Sequence, residues 1–243
     1  MESNRIKQII DRTGTSGEPE IGFVKRAPVA GASLGIFASS FNPITTAHFE
    51  LIRLAANKFS LDETLALAGK ANADKKGYEC SLEDRLSMLS LTFADSARVS
   101  IALSSHAYFV DMIEPLRRLY PPQIDLHFIM GFDTFERVLD PYDKYTALYH
   151  SKFDNRREAL LYLLSNSRLI IAGRAGRRLS DLRALVACEP ERVQEGISYL
   201  DLPGDLGDRS ATEVRDRVHE GLSVSGLVPL AVEQYIKERN LYR

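Results

Sequence analysis

Short apolar runs alternate with segments of helical periodicity along most of this chain. Leu34–Ala38 has the length of a buried strand, and from Thr46 to Phe59 the apolar residues recur at helical spacing. This alternation predicts an α/β fold: a doubly wound, mostly parallel sheet with helices on both faces, followed by a C-terminal helical segment. The predicted strands are Leu34–Ala38, Thr64–Ala68, Val99–Leu103, Ile124–Met130, Leu169–Ala172 and Ile197–Leu202. The predicted helices are 3–12, Thr46–Phe59, one that begins at Ser81, Tyr108–Leu119, Arg156–Leu164, Ser210–Glu220 and Pro229–Arg239.

The predicted topology also indicates where a ligand would bind. In doubly wound sheets, ligands bind beyond the carboxyl ends of the strands, at the point where the strand order reverses. The loops at this edge of the predicted sheet follow Ala38, Ala68, Leu103, Met130 and Ala172.

The N-terminal segment differs from the rest of the chain. Residues 13–32 are rich in glycine and proline and show little apolar periodicity, which predicts a linker or a loosely docked arm. We therefore assign residues 1–32 to an N-terminal arm and residues 33–243 to one large α/β domain. Hydrophobic residues make up 44% of the 243 residues, which is enough to bury the core of such a domain.

Composition argues against several classes of protein. The formal net charge is −2, with 31 basic and 33 acidic residues, so no single sign of charge favours a nucleic-acid polymer as partner. No stretch approaches the ~20 apolar residues that a membrane span needs, and charged residues interrupt the N-terminus where a signal peptide would be apolar. We predict a cytoplasmic protein with no metal-binding residues, in which Cys80 and Cys188 are reduced thiols.

The loop between the first predicted strand and its helix is the most informative segment. It reads SSFNPITTAH over Ser39–His48. A helix N-terminus offers free N–H groups and a partial positive charge, which suit a phosphate. Thr45 and His48 are three residues apart, so both can donate hydrogen bonds from one face of the first turn, and a cationic imidazole would contribute most. The alternative is that Thr45 or Thr46 caps the helix and His48 is an ordinary polar residue.

A second segment has the same character. Residues 208–215 read DRSATEVR, and Ser210 is a plausible N-cap for the helix that follows. Thr212 and Arg215 are three residues apart and share a helix face, so a hydroxyl, a guanidinium and free N–H groups could together bind an anion. The alternative is a capped surface helix with a solvated arginine.

Together the two segments resemble the paired motifs of the nicotinamide/nicotinate mononucleotide adenylyltransferases, within the HxGH, cytidylyltransferase-like superfamily. The first motif of that family reads roughly GSFNPxTxxH and the second roughly SSTxxR; Ser210–Arg215 here reads SATEVR. The C-terminal segment from Gly221 through Leu241-Tyr242 is also similar to the family's C-terminus. The resemblance covers roughly residues 33–243 and implies a Rossmann-like nucleotidyltransferase domain.

The resemblance implies catalytic roles for three residues. His48 would hydrogen-bond the ATP phosphates and stabilise the pentacoordinate transition state. Thr45 takes the place that many relatives give to a first histidine. Arg215 would hold the β- and γ-phosphates of the leaving pyrophosphate, together with Ser210 and Thr212.

The resemblance also implies binding roles for residues at the ends of other strands. Besides those already named, the ATP-binding residues would be Ser39, Ser40, Phe41, Asn42, Gly131, Asp133 and Arg174. The acceptor-binding residues would be Asn42, Tyr108, Phe109 and Asp133, although the two aromatic residues could equally belong to a helical core. Either Lys75 or Lys76 could match a family lysine at the ATP phosphates, and the sequence does not distinguish them.

The resemblance further implies the reaction. The phosphate of a nicotinamide or nicotinate mononucleotide would attack the α-phosphorus of ATP in line, and pyrophosphate would leave. No general base is required because a phosphate monoester is already anionic at pH 7, so the protein supplies positioning and charge neutralisation. Mg²⁺ would bridge ATP oxygens and keep most of its waters, without a dedicated protein cage. The preference between nicotinamide and nicotinate, and any homo-oligomeric state, stay open.

Departures from the family pattern leave alternatives open. Ser39 replaces a glycine that lets backbone approach phosphate, Ala47 replaces a glycine or bulkier residue, and Ala211 replaces a serine. The sequence has no tryptophan, which several relatives place against the pyridine ring. One alternative is an enzyme of the same fold with another phosphate-bearing acceptor or with CTP as donor; another is a nucleotide-binding regulator without catalysis. The resemblance does not explain the arm of residues 1–32 or an insert at residues 142–157, either of which could cover the site or mediate assembly.

Overall fold

The computed structural model of the protein describes residues 2–14, 17–28, 31–70, 79–140, 152–173 and 176–243. The strands among these residues are β1 (Ile21–Lys25), β2 (Ser33–Ser39), β3 (Glu63–Gly69), β4 (Val99–Ser104), β5 (Asp125–Gly131), β6 (Arg168–Ala172) and β7 (Ile197–Leu200). The helices are α1 (Glu2–Arg12), α2 (Thr46–Lys58), α3 (Leu82–Thr92), α4 (Phe109–Leu119), α5 (Phe132–Leu139), α6 (Arg156–Asn166), α7 (Leu179–Val186), α8 (Glu191–Glu195), α9 (Ala211–His219) and α10 (Leu230–Arg239).

The strands form one sheet in the order β1-β4-β3-β2-β5-β6-β7. Neighbours from β4 to β7 are parallel, and β1 pairs antiparallel with β4. The prediction of a doubly wound, mostly parallel α/β sheet is confirmed. The chain extends the sheet from β2 through β3 to β4 and then returns to place β5 on the other side of β2, so the strand order reverses between β2 and β5.

Alternation along the strands divides the core between the two faces of the sheet. In β3, Ala66 and Ala68 join the apolar cluster that contains the inward residues of α2, α3 and α10. Leu65 and Leu67 join the cluster built from α4, α5 and α6. A strand that buries both faces reads as a continuous apolar run, which is why these strands stand out in the sequence.

The predicted linker over residues 13–32 is wrong for Ile21–Lys25, which form the edge strand β1. Helix α1 was expected at 3–12, and its Ile6 is buried in the core. The ammonium group of Lys70 donates to the carbonyls of Ile10 (2.7 Å) and Thr13 (2.6 Å), which holds the end of α1 close to the end of β3. The edge strand β1 is stabilised by backbone pairing with β4. Its own short, glycine-containing sequence does not indicate that pairing.

The sequence did not predict helices α5, α7 and α8, but it did predict the residue that caps α3. The unpredicted helices have eight, eight and five residues, too few for a periodic pattern to be distinctive. Ser81, by contrast, accepts a hydrogen bond from the N–H of Asp84 (3.0 Å) and begins α3 where its capping pattern indicated.

Among the described residues, none of the helices combines the length and the apolar character that crossing a bilayer requires.

Candidate active site

A cleft lies at the carboxyl ends of β2, β5 and β6, where the strand order reverses. This is the edge of the sheet at which the topology predicted a ligand site. Helices α2 and α5 both begin beside the cleft, so their N-terminal partial charges favour an anion there. The side chains on its lining that can form hydrogen bonds are Ser39, His48, Asp133, Thr134, Arg137 and Arg209.

His48 is held by the residue that caps its own helix. Thr45 is the N-cap of α2, and its hydroxyl accepts a hydrogen bond from the N–H of His48 (3.3 Å). The N–H of Thr45 donates in return to Nδ1 of His48 (3.1 Å). This reciprocal pair is a capping box in which an imidazole replaces the usual carboxylate or amide. Because Nδ1 is the acceptor, the ring of the neutral histidine carries its proton on Nε2.

Two aromatic rings fix the plane of the imidazole. The ring centroids of Phe37 and Phe41 each lie 5.6 Å from that of His48. The imidazole also lines the cleft. A ring that is bonded through Nδ1 and packed on both phenyl groups can donate from Nε2 to an anionic ligand without reorganising. The cationic imidazole stays a prediction: a protonated Nδ1 would donate to the hydroxyl of Thr45, whose oxygen lies 3.1 Å away, and the N–H of Thr45 would lose its acceptor.

Thr45 itself cannot reach a ligand in this arrangement. Its side chain is fully buried, and its hydroxyl lies 3.1 Å from Nδ1 of His48. The prediction that Thr45 donates a hydrogen bond to a phosphate is therefore wrong for this structure, and the capping alternative is correct for this residue. Its geometry suits a positioning role, in which it orients the imidazole of His48.

Asn42 and Phe41 also point inward rather than into the cleft. The side-chain oxygen of Asn42 accepts hydrogen bonds from the hydroxyl of Tyr242 (2.9 Å) and the thiol of Cys80 (3.2 Å). Burial raises the pKa of the Cys80 thiol to about 11, and burial raises the pKa of Tyr242 as well, so both groups keep their protons and remain donors. Phe41 is fully buried, with a φ of 46°. The binding of ATP by Phe41 and Asn42, and of the acceptor by Asn42, stays a prediction, and their buried side chains favour contacts through the backbone.

A buried arginine supports this loop, and the sequence interpretation missed it. Arg85 is only 2% exposed, and its Nη1 donates to the carbonyls of Ser40 (2.7 Å) and Gly69 (3.4 Å). Its guanidinium therefore joins the loop after β2 to the end of β3. The available signal was its position three residues after Leu82, on the inward face of α3, where a charged residue calls for an explanation.

The second motif meets the first through Arg215. Ser210 caps α9 by accepting from the N–H of Glu213 (3.0 Å), as its position indicated. The guanidinium of Arg215 donates to the carbonyl of Asn42 (2.8 Å), to Glu79 (2.8 Å) and to the hydroxyl of Thr212 (3.3 Å). The predicted shared face of Thr212 and Arg215 is thus present. In the described part of the chain, however, the cleft is lined by Arg137 and Arg209 and not by Arg215.

The end of β5 supplies further cleft residues. Gly131 is the N-cap of α5, and Asp133 in the first turn is exposed; both line the cleft, where the sequence placed them. Thr134 and Arg137 line it too and were not predicted. Nη2 of Arg137 donates to the hydroxyl of Thr134 (3.1 Å) and its Nε to the carbonyl of Asp133 (3.3 Å). Arg137, in the last turn of α5, thus folds back onto the first turn of its helix and adds a guanidinium to the lining of the cleft.

Comparison with known proteins identifies the family of this chain. A family model described as Cytidylyltransferase-like matches residues 36–199, from β2 into β7. A probable nicotinate-nucleotide adenylyltransferase of Dehalococcoides mccartyi (strain CBDB1) is 30% identical over 214 residues, which cover 86% of this chain and 96% of that protein. The chain belongs to the nicotinate-nucleotide adenylyltransferase family. It is therefore a nucleotidyltransferase of the cytidylyltransferase-like group, and the resemblance drawn from the two motifs is confirmed.

Other relatives of this adenylyltransferase family extend the similarity over nearly the whole chain. A probable nicotinate-nucleotide adenylyltransferase of Carboxydothermus hydrogenoformans is 30% identical over 220 residues, covering 88% of this chain and 100% of that protein. The structure of Plasmodium falciparum nicotinic acid mononucleotide adenylyltransferase complexed with NaAD matches with a TM-score of 0.63 at 17% identity, covering 87% of this chain and 98% of that one. This likeness confirms the Rossmann-like fold.

Of the acceptor residues expected for an adenylyltransferase of this family, Asp133 lines the cleft, whereas Asn42, Tyr108 and Phe109 do not. Tyr108 is the N-cap of α4, and the ring of Phe109 packs edge-on against Phe128 with 5.4 Å between centroids, which agrees with the core alternative for Phe109. In the described residues, neither lines the cleft. Arg174, Lys75, Lys76 and residues 142–151 of the insert lie outside the described residues. At the end of the insert, Lys152 forms an ion pair with Asp111 in the first turn of α4 (2.8 Å).

We expect Thr45→Ala to lower both stability and turnover of this adenylyltransferase. The variant removes the N-cap of α2, which costs about 1 kcal/mol, and it removes the hydroxyl beside Nδ1 of His48. We expect kcat to fall more than KM for ATP changes, since the imidazole is oriented less well. Urea unfolding and steady-state kinetics measure the two effects. Thr45→Ser keeps the hydroxyl and should behave like the unmodified protein; equal losses in both variants would contradict the positioning role.

Proposed function

We propose that this chain transfers the adenylyl group of ATP to nicotinate mononucleotide and releases pyrophosphate. The observation that carries the proposal most directly is His48, fixed by Thr45 at the N-terminus of α2 and facing a cleft at the switch point of the sheet. The names of the relatives, probable nicotinate-nucleotide adenylyltransferases, favour nicotinate over nicotinamide as the acceptor base.

The proposed reaction needs charge stabilisation more than acid–base chemistry. Attack of the acceptor phosphate on the α-phosphorus of ATP forms one P–O bond while the bond to the pyrophosphate breaks, and negative charge accumulates on the equatorial and leaving oxygens. The N–H groups at the start of α2 and Nε2–H of His48 would donate to those oxygens. Because both are held before the ligand arrives, they stabilise the transition state without reorganising.

ATP would enter as its Mg²⁺ complex. Asp133 is a carboxylate on the lining of the cleft, and carboxylate oxygen is a ligand that Mg²⁺ accepts. The described residues hold no group of three or more His, Cys, Asp or Glu side chains suited to a metal ion. A cation that is held mainly by phosphate oxygens and water, with Asp133 at most as one further ligand, fits this donor set. Mg²⁺ would neutralise charge on the triphosphate.

Several sequence predictions belong to this proposal and still await experiment. We propose phosphate contacts for Ser39, Ser210 and Thr212, which lie in the two motifs, and for Arg174. We propose residues 33–243 as the nucleotidyltransferase domain. Cytoplasmic location and homo-oligomeric assembly also remain predictions.

Pyrophosphate release by the purified protein tests the proposal. The protein would be supplied with Mg²⁺-ATP and either nicotinate mononucleotide, nicotinamide mononucleotide or no acceptor, and CTP would replace ATP in a parallel series. We expect release that requires ATP and is fastest with nicotinate mononucleotide. Release with another acceptor or with CTP would support a different transferase of the same fold. Binding of ATP without release under any condition would indicate a regulator without catalysis.

A further inference from the structure

Arg209 occupies a position on the cleft that no motif assigned to it. Its Nη1 donates to the hydroxyl of Thr46 (3.1 Å) and to the carbonyl of Gly226 (2.9 Å). Thr46 is the first residue of α2, two residues before His48. The guanidinium therefore lies directly on the helix N-terminus that carries the imidazole, and Arg209 lines the same cleft as His48.

Nη2 of the same guanidinium is paired with the exposed carboxylate of Asp205, which another anion can replace. Nη2 of Arg209 donates to both oxygens of Asp205 (3.3 and 3.1 Å). The side chain of Asp205 is 73% exposed, whereas that of Arg209 is 27% exposed. The bond from Arg209 lowers the pKa of Asp205, so this carboxylate is ionised at neutral pH. Exposed ion pairs of this kind contribute little stability, and a polyphosphate with greater charge can replace the carboxylate at small cost.

Arg215 does not offer the same exchange. Its side chain is 10% exposed, and its Nη1 is committed to the buried carbonyl of Asn42. Moving this guanidinium toward a ligand would leave that carbonyl without its donor, which is costly in a buried site. Arg209, in contrast, is held in place by Thr46 and Gly226 through Nη1 while Nη2 faces an exposed partner. The two arginines near the second motif are therefore suited to different tasks.

We infer that Arg209 binds the triphosphate of ATP, and that a phosphate oxygen exchanges with Asp205 on Nη2. This inference rests on the proposed function, since it takes ATP as the nucleotide that occupies the cleft. Arg209 is a binding residue in this scheme, and Asp205 is an internal competitor that weakens ATP binding. The two residues must then affect ATP affinity in opposite directions.

Calorimetric titration with Mg²⁺-ATP in the absence of acceptor tests this inference. We expect Arg209→Ala to weaken ATP binding by about tenfold or more, because charge-assisted contacts to phosphate are the strong ones. Arg209→Lys should lie between this variant and the unmodified protein, since lysine keeps the charge but loses the planar fork. Asp205→Asn should tighten binding by about two- to fivefold. Arg217→Ala is the matched control: Arg217 pairs with Glu213 on α9 (3.2 Å), and its removal should leave the affinity unchanged.

The opposite signs distinguish binding from a structural role. If Arg209 merely braces the loop through its ion pair, then Arg209→Ala and Asp205→Asn would both weaken binding, which would overturn the inference. Unchanged affinity in Arg209→Ala would overturn it as well. Failure of the proposed function would be seen separately. If the unmodified protein binds Mg²⁺-ATP but releases no pyrophosphate with either mononucleotide, the proposed reaction is excluded. The effects of Arg209 and Asp205 on ATP affinity can still be measured in that case. An unmodified protein that does not bind Mg²⁺-ATP would overturn both.

Discussion

Replacing His48 with alanine is expected to lower kcat by about 10²–10⁴-fold while Mg²⁺-ATP still binds. Nδ1 of His48 accepts from the backbone of Thr45, and the ring is packed on Phe37 and Phe41. The imidazole is therefore held in one orientation on the lining of the cleft before charge develops on the phosphates. A contact of this kind strengthens in the transition state more than in the ground state, so its loss lowers kcat more than it weakens ATP binding.

His48→Gln separates the chemistry of this residue from its part in the helix cap. Glutamine at this position can still accept from the N–H of Thr45 in a capping box, so we expect stability close to that of the unmodified protein. The kcat of His48→Gln should nevertheless stay at least about tenfold low, because the fixed imidazole N–H is gone. His219→Ala, at the exposed end of α9, is the control and should leave both quantities unchanged. Near-normal kcat in His48→Ala would remove this residue from the mechanism.

Much of the fold could be predicted because the strands and caps are local patterns. The run Leu34–Ala38 lies within β2, and the pattern at Ser81 begins α3. In both cases the physical cause is contained in a few consecutive residues: burial of both strand faces, or one side chain bonded to the next turn. Strand β1 could not be predicted in this way, because it is held by backbone pairing with a partner about eighty residues away in the sequence.

The position of the candidate site could be predicted from sequence, but not which of its side chains line the cleft and which are buried. Serine, threonine and arginine at a helix start serve equally well as caps, as internal braces or as phosphate ligands, since all three tasks use the same donors. Burial decides among them: Thr45 and Asn42 are covered, whereas Arg209 lines the cleft. The sequence around Arg209 and Arg137 did not indicate a place at the site, because the two residues line one cleft only when the chain segments that carry them come together in the fold.

Arg215→Ala is expected to have the largest effect on stability, about 2–4 kcal/mol of unfolding free energy. The buried carbonyl of Asn42 loses its donor, and the space of a side chain that is 10% exposed is vacated. Asn42 lies in the loop that leads into α2, so the cap at Thr45 and the orientation of His48 should also be disturbed. We therefore expect lower kcat and weaker ATP binding together with the loss of stability, in contrast to the selective loss of kcat in His48→Ala.

Urea unfolding of two matched variants shows which contact of Arg215 is responsible. Glu79→Gln removes the ion pair of Arg215, but the side chain of Glu79 is 59% exposed, so we expect a change of less than about 1 kcal/mol. Arg215→Lys keeps one donor for the carbonyl of Asn42 and should recover part of the stability that Arg215→Ala loses. If Glu79→Gln and Arg215→Ala destabilise the protein equally, the ion pair and not the buried carbonyl accounts for the role of Arg215. Unchanged stability in Arg215→Ala would mean that the two motifs are joined without it, and a weakened ATP affinity in that variant would then point to direct contact with phosphate.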